Sequence, residues 1–286
     1  MGVGETSQTC ETSAEGADTA AQPAPGGFWA YLRPALFPHR TSESNAPWRG
    51  LVGQIVLVAM GLLFYLGVRA FTQGAESLAF DNARRLLEWE HELGIAWEQR
   101  AQNLILDSQT WIDFWNVVYV WGYWTVLIGS LAGLYRFSRK HYVMLRNALF
   151  VSGGIGLVIF AFFPVAPPRF LDGFTDTVSD ASRSSLIGHP SGLINKFAAM
   201  PSFHVGWLVI VGVVLAQASP WIVLKIAAVV PALLMALAVV FTGNHFIVDA
   251  IAGSAVSLLG LYIAHRIMKR VERDAADETS RRVACT

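Results

Sequence analysis

The sequence predicts an all-α integral membrane protein that crosses the bilayer six times. Of its 286 residues, 53% are hydrophobic and only 15% are charged, and the mean hydropathy is +0.43. Soluble domains carry roughly 25% charged residues, so this composition is typical of a membrane protein. The second observation is a series of apolar runs, each near the ~20 residues that a helix needs to cross the hydrocarbon core.

These runs divide the chain into a membrane domain and two tails. We expect spans over 51–71, 111–135, 142–165, 203–218, 221–241 and 246–267. They form one six-span membrane domain over 48–270, with a cytoplasmic tail over 271–286. The N-terminal tail, 1–47, is predicted to be disordered up to residue 27, where it has four acidic residues and no Lys or Arg. Its remainder mixes aromatic, proline and basic residues and approaches the membrane interface.

The basic residues predict the orientation of the spans. With the N-terminus inside, 14 Lys and Arg residues lie on the inner side and 7 on the outer side. Cytoplasmic loops carry the excess of these residues, so both termini are expected in the cytoplasm, most simply at a plasma (inner) membrane. The net charge is zero, which gives no indication of a nucleic-acid partner, and none is expected.

Two long connections are then expected on the outer side. In the first, 72–110, apolar residues alternate with Glu and Arg, which predicts amphipathic helices lying on the membrane surface. The second, 166–202, contains PVAPPRFLDGFTDT and is predicted to be irregular and rich in turns.

Polar residues from three segments converge at the outer ends of these spans. They are Arg169 after the third span, Ser202 and His204 at the start of the fourth, and Asn244, His245 and Asp249 at the start of the sixth. On a helix, His245 and Asp249 would lie one turn apart on the same face. A carboxylate within a span is costly, so Asp249 requires a partner.

These residue types suit chemistry at phosphorus. An imidazole can act as a nucleophile when its other nitrogen is held by a carboxylate, and a second imidazole can protonate the departing oxygen. An arginine can neutralise the phosphate oxygens.

The segments PPR, PSFH and GNHFIVD resemble the three signature segments of the type 2 phosphatidic acid phosphatase superfamily, which read K-x6-R-P, P-S-G-H and S-R-x5-H-x3-D. The resemblance covers roughly residues 50–265. It implies a six-helix membrane enzyme that acts on a lipid phosphate without a metal or another cofactor. It also implies that His245 is the nucleophile that becomes phosphorylated, that Asp249 orients it and that His204 protonates the leaving group. Arg169, Ser202 and Asn244 would contact phosphate.

The chain departs from these signatures at several positions. The first-motif lysine falls at Phe162, the third-motif Ser-Arg at Ala238 and Val239, and Phe203 replaces the second-motif glycine. The departures are similar to those of the inositol phosphorylceramide synthase-like branch, which is sensitive to aureobasidin. Further similarity lies in ELGIAWEQRAQ (92–102), NVVY (116–119), LRN (145–147) and GFTDT (173–177).

Several alternatives remain open at this point. The branch resemblance favours a phosphotransferase that moves a phosphoinositol-like headgroup, but the motifs do not identify the acceptor, so a simple lipid phosphatase is the second hypothesis. A metal-dependent hydrolase with His204, His245 and Asp249 as ligands is a third, and a non-enzymatic lipid carrier is a fourth. Ser202 could cap the fourth span instead of binding phosphate, and Asn244 could cap the sixth.

Overall fold

The computed structural model describes residues 75–179 and 197–284, with isolated positions between 56 and 67. The N-terminal tail and most of the first predicted span lie outside the described residues. The regular elements in the described part of the chain are all helices, with no strand among them. They are α1 (Glu76–Glu92), α2 (Glu98–Leu106), α3 (Gln109–Val117), α4 (Tyr123–Phe137), α5 (Arg139–Phe162), α6 (Phe203–Ala218), α7 (Ile222–Phe241) and α8 (Ile247–Ala284). A π-helical turn, Val118–Gly122, joins α3 to α4, and a 3₁₀ turn, Pro168–Phe170, follows α5.

Four helical segments are long and apolar enough to cross a membrane. They are Gln109–Phe137, Arg139–Phe162, Ile222–Phe241 and Ile247–Asp274, and α6 is apolar but shorter. The chain is therefore an integral membrane protein with an all-helical described region. Four of the six predicted spans correspond to these segments, and the fourth predicted span corresponds to α6.

Helix α8 is longer than the sequence predicted. It runs for 38 residues to Ala284, whereas the span was expected to end near residue 267 and to be followed by a separate tail. No glycine or proline occurs after Gly260 in this helix, and these two residues are the ones that most disfavour a helix interior. Lys140 at the start of α5 forms an ion pair of 3.6 Å with Glu272 on this extension.

Helices α6 and α8 pack at backbone contact because glycines face each other. A side chain at Gly206 would meet the carbonyl oxygen of Gly253, and one at Gly253 would meet the backbone of Ser202. Small residues permit this close approach between membrane helices. The contact fixes the first turn of α6, which carries His204, against the first turns of α8.

The first long connection forms two helices, α1 and α2. Helix α1 buries Ala79, Ala83 and Leu86 in a small core that also contains Phe246. Trp89 and Leu93 are exposed at 54% and 69%. Amphipathic helices are therefore present in this connection, and their placement on the membrane surface stays a prediction.

Candidate active site

His245 lies in the turn between α7 and α8, before α8 begins at Ile247. The N–H groups of Asn244 and His245 both donate to the carbonyl oxygen of Val239, at 3.0 and 3.2 Å. Gly243 has a φ of 64°, a left-handed conformation that glycine adopts readily. We expected His245 and Asp249 to lie on one face of a helix. This expectation is wrong for His245, which precedes the helix, because α8 starts only after the glycine turn has ended.

The imidazole of His245 is held through its Nδ1 atom. This nitrogen lies 2.7 Å from the carbonyl oxygen of Ala199 and 3.5 Å from Oδ2 of Asp249. A carbonyl oxygen only accepts hydrogen bonds, so the hydrogen-bond network assigns the proton to Nδ1 and leaves the lone pair on Nε2. The backbone carbonyl is therefore the nearest partner of His245, and the Asp249 carboxylate is the second.

Asp249 lies in the first turn of α8 and is fully buried. Its Oδ2 accepts a hydrogen bond from the N–H of Phe246 at 2.9 Å, which is how the carboxylate of a capping box closes a helix N-terminus. Its Oδ1 is buried without a hydrogen-bond partner among the described residues. One carboxylate thus caps α8 and places negative charge beside His245.

Ser202 occupies the N-cap position of α6, but its side chain makes no capping hydrogen bond. Its N–H donates to the carbonyl oxygen of Asp249 at 2.9 Å, and its hydroxyl is buried without a partner in the described part of the chain. A buried hydroxyl without a partner is costly. The capping role considered for the Ser202 side chain is therefore not observed.

His204 projects from the first turn of α6 between two tyrosines. Its ring centroid lies 4.5 Å from that of Tyr119 and 4.6 Å from that of Tyr123. The centroid of the His245 ring is 5.6 Å away. Aromatic contacts of this kind restrict the orientation of a ring, so His204 of α6 is held beside His245 of the α7–α8 turn.

Arg169 reaches the same place from the 3₁₀ turn. Its backbone N–H donates to the carbonyl oxygen of Gly243 at 2.8 Å. Its guanidinium donates to Oδ1 of Asn244, and its Nε lies 3.3 Å from Oδ2 of Asp176. A guanidinium carries five N–H donors in a fixed fork. The contacts with Asn244 and Asp176 use only some of these donors.

Asn244 was predicted to donate to phosphate or to cap the last span. Its Nδ2 instead donates to the Thr242 hydroxyl at 2.7 Å, while its Oδ1 accepts from Arg169. Helix α8 begins three residues later, so Asn244 is not its cap. These contacts make Asn244 a residue that holds the guanidinium in place.

All six predicted site residues thus come from three segments that meet at one end of the helices. The structure adds residues that the motifs did not single out. Tyr119, Tyr123 and Asp176 contact the site residues, and Glu90 and Glu98 lie next to the site, at the N-terminus of α8. Three of them lie in the stretches 92–102, 116–119 and 173–177, which carried only a general similarity. The similarity of these three stretches was the only indication of these residues in the sequence. It did not identify which of their side chains would point inward.

The departures from the signature segments also have structural counterparts. Phe162, at the position of the expected lysine, is 80% exposed. Ala238 and Val239 are fully buried, and their carbonyl oxygens hold the turn that carries His245. The ring of Phe203 packs against Gly156 of α5, which directs it away from the histidines. His189, Arg183 and Lys196 lie outside the described residues.

The metal hypothesis gains no support from this geometry. Within residues 75–179 and 197–284, no group of three or more His, Cys, Asp or Glu side chains is placed to hold a metal ion. The site that the described residues define is a membrane-level pair of histidines with a buried carboxylate and a paired arginine.

Two histidines, an arginine and a buried carboxylate thus meet at one end of the described helices. A family model described as the PAP2 superfamily matches residues 84–263, and this match includes every one of the six predicted site residues. The chain belongs to the PAP2 superfamily. No curated protein and no solved structure matches it.

Proposed function

We propose that this protein cleaves or transfers a phosphoryl-type group on a membrane lipid through a phosphohistidine at His245. The proposal is supported above all by the contacts that hold Nδ1 of His245 in place. These contacts leave Nε2 as the nucleophilic atom beside His204 and Arg169. In the first step, the Nε2 lone pair forms a bond to phosphorus while the bond from phosphorus to the lipid oxygen breaks. The departing oxygen takes a proton from His204.

The second step regenerates the enzyme. An incoming hydroxyl loses its proton to His204 and forms a bond to phosphorus, and the N–P bond to His245 breaks. Asp249 stabilises the positive imidazole ring of the intermediate, since its Oδ2 lies 3.5 Å from Nδ1. Arg169 and the Ser202 hydroxyl contact the phosphate oxygens, where preorganised donors stabilise developing charge most effectively.

An apolar groove beside the site supports a lipid substrate. It has a volume of about 880 Å³ and lies between α6, α7 and α8, where its lining includes Val205, Ile247 and Ala250. Each of these residues is within two positions of a site residue in the sequence. An acyl chain could therefore follow the groove while its phosphate lies at the histidines.

The identity of the acceptor separates phosphatase from phosphotransferase. Water would release free phosphate from a lipid such as phosphatidic acid. A lipid alcohol would accept a phosphoinositol-like headgroup, as the resemblance to the inositol phosphorylceramide synthase-like branch suggests. Incubation of purified protein with phosphatidic acid, and separately with phosphatidylinositol and ceramide, distinguishes the two by the product.

The covalent step is tested at His245. We expect His245→Ala to lower turnover by roughly 10⁴-fold or more, since removal of a nucleophile has effects of that size. Rapid quenching of the wild-type protein with labelled substrate should trap an acid-labile, base-stable phosphoenzyme. His265→Ala is the matched control, because His265 is an exposed histidine on α8, the helix that follows His245. Turnover retained in His245→Ala, with no trapped species in the wild type, would overturn the covalent route.

A further inference from the structure

Two buried glutamates hold the N-terminus of α8, outside the histidine site itself. Glu90, near the end of α1, and Glu98, at the start of α2, are both 0% exposed. The Oε1 of Glu98 accepts a hydrogen bond from the N–H of Ile247, and the Oε1 of Glu90 accepts one from the N–H of Val248, both at 2.8 Å. With Asp249 on Phe246, three carboxyl groups accept three successive N–H groups.

This arrangement satisfies three N–H groups at the start of the helix. The first N–H groups of a helix have no partner within the helix, and negative charge is favourable there. However, the N-terminus of α8 follows His245 directly and contains Asp249. Any displacement of this turn would therefore move both residues relative to His204 and Ala199, which belong to a different segment.

The second carboxyl oxygens of Glu90 and Glu98, their Oε2 atoms, are both buried without a hydrogen-bond donor among the described residues. The two carboxyl groups are neighbours, because their Oε1 atoms accept from the successive N–H groups of Ile247 and Val248. Two carboxylates can only accept, whereas one carboxylic acid can donate to one carboxylate. A single shared proton supplies the donor that both atoms lack.

We propose that Glu90 and Glu98 are positioning residues that share one proton and clamp the first turn of α8, and thereby hold His245 and Asp249 in the geometry needed for catalysis. The part of this inference that concerns catalysis rests on the function proposed above. The shared proton does not, because it follows from the contacts of the two carboxyl groups alone.

The ionisation of Glu90 agrees with a shared proton. Burial, together with its hydrogen bond to Glu98, raises the pKa of Glu90 to about 9 from 4.5. The titratable groups that act on it from neighbouring helices are Glu98 of α2 and Asp249 of α8. Both are carboxyl groups, and both disfavour a charge on Glu90. The clamp is therefore intact at neutral pH and opens when the pH rises through about 9.

The direction in which pH changes the stability of the fold follows from the same two pKa values of Glu90. The folded protein keeps the Glu90 proton up to about pH 9, whereas the unfolded chain releases it near pH 4.5. The stabilisation is therefore fully present below about pH 4.5 and is lost as the pH rises to about 9. Glu90→Gln cannot lose a proton, so its melting temperature should fall less between about pH 7 and pH 10 than that of the wild type.

Glutamine variants distinguish a shared proton from simple burial. In Glu90→Gln or Glu98→Gln, the amide oxygen still accepts from α8, and the amide nitrogen donates to the remaining carboxylate. We expect each single variant to retain most of its turnover at about pH 7, and Glu90→Gln to retain it near pH 10, where the wild type loses it. In the double variant two amide nitrogens face each other without an acceptor. Its turnover should fall by about a hundredfold, as expected when reacting groups move by about 1 Å.

The chemical reactivity of His245 is a second measurement that does not depend on turnover. Diethyl pyrocarbonate modification of His245, followed by peptide mass spectrometry, should be slow in the wild type and in both single variants, because His245 is only 5% exposed. It should be at least several-fold faster in the double variant. Glu88→Gln is the matched control, since Glu88 is an exposed glutamate on the same helix as Glu90.

The outcomes separate this inference from the proposed function. A double variant as active and as slowly modified as the single ones would overturn the clamp, as would an alkaline loss of stability in Glu90→Gln equal to that of the wild type. If the wild-type protein turned over no lipid phosphate, the proposed function would fail. The melting and modification experiments would then still decide whether the two glutamates share a proton and hold His245.

Discussion

At the scale of single residues, the site depends on contacts with the backbone more than on the side-chain pair that the sequence suggests. The nearest partner of His245 is the carbonyl oxygen of Ala199 at 2.7 Å, and Asp249 is farther away at 3.5 Å. Asp249 also caps its own helix through Phe246. Sequence spacing correctly pairs the histidine with the carboxylate, but it contains no information about a carbonyl group 46 residues earlier.

The environment of His204 bears on its proposed role as the general acid. It is packed against Tyr119 and Tyr123, and its ring lies 5.6 Å from that of His245. A phosphorus atom bound to Nε2 of His245 would therefore lie within reach of a proton on His204. The tyrosines limit the rotation of the ring, and in the proposed mechanism this would keep that proton directed at the departing oxygen.

The leaving group tests this role. A general acid contributes about 10²–10⁴-fold when the departing oxygen is strongly basic and much less when it is weakly basic. We expect His204→Ala to lower turnover of a natural lipid phosphate by such a factor and to affect an activated aryl phosphate far less. His245→Ala should abolish both reactions, because no phosphoenzyme can form. Equal losses for the two substrates in His204→Ala would indicate that His204 binds phosphate instead.

At the scale of helices, α6, α7 and α8 together form the apolar groove, with His204 on α6 and His245 in the turn between α7 and α8. The groove is lined by small and aliphatic residues of these helices, including Ala236 on α7. Helices α6 and α8, which both line the groove, touch each other through Gly206 and Gly253. The same packing that aligns His204 with Asp249 therefore leaves the space that an acyl chain would occupy.

A substitution at Ala236 tests whether the groove holds the lipid. Ala236→Phe adds a ring to the groove without touching the histidines, so we expect a higher KM for a long-chain lipid phosphate and an unchanged rate for a short-chain, water-soluble one. Leu234→Phe is the control, because Leu234 lies on the same helix but outside the groove. An equal KM for the long-chain substrate in both variants would argue against this path for the acyl chain.

Some features of the helices can be predicted from the sequence, and others cannot. Apolar length correctly predicts the segments of α4, α5, α7 and α8, because a span is a local property of composition. It does not predict the extension of α8 to Ala284, the π-helical turn at Val118–Gly122, or the start of α8 after His245. The start of α8 depends on which groups accept its first backbone hydrogen bonds, and two of these partners, Glu90 and Glu98, lie far away in the sequence.

At the scale of the whole molecule, the site and two groups of basic residues lie at opposite ends of the helices. His204, His245 and Arg169 are at the ends where α6 and α8 begin and α5 finishes. The opposite ends carry Arg139 and Lys140 at the start of α5 and a group of basic residues late in α8, namely Arg266, Lys269, Arg270 and Arg273. Because basic residues favour the cytoplasmic side, this polarity predicts an extracytoplasmic site.

Accessibility of single cysteines tests the orientation, in a background with Cys10 and Cys285 replaced by serine. Gly173 would be a poor labelling position, since its φ is 87° and a side chain there would meet the amide of Gln99. Asp172 is its exposed neighbour, and Lys140 is exposed at the other end of the molecule. We expect Asp172→Cys to react with an impermeant thiol reagent added to intact cells and Lys140→Cys to react only after the membrane is opened.

The comparison is internally controlled, because both cysteines lie at exposed positions outside the site and each can be labelled fully after permeabilisation. Reaction of Lys140→Cys but not Asp172→Cys in intact cells would reverse the orientation and place His245 at the cytoplasmic face. The lipid phosphate would then have to be presented from the inner leaflet. The basic residues late in α8 would lie outside, against the charge bias that governs membrane insertion.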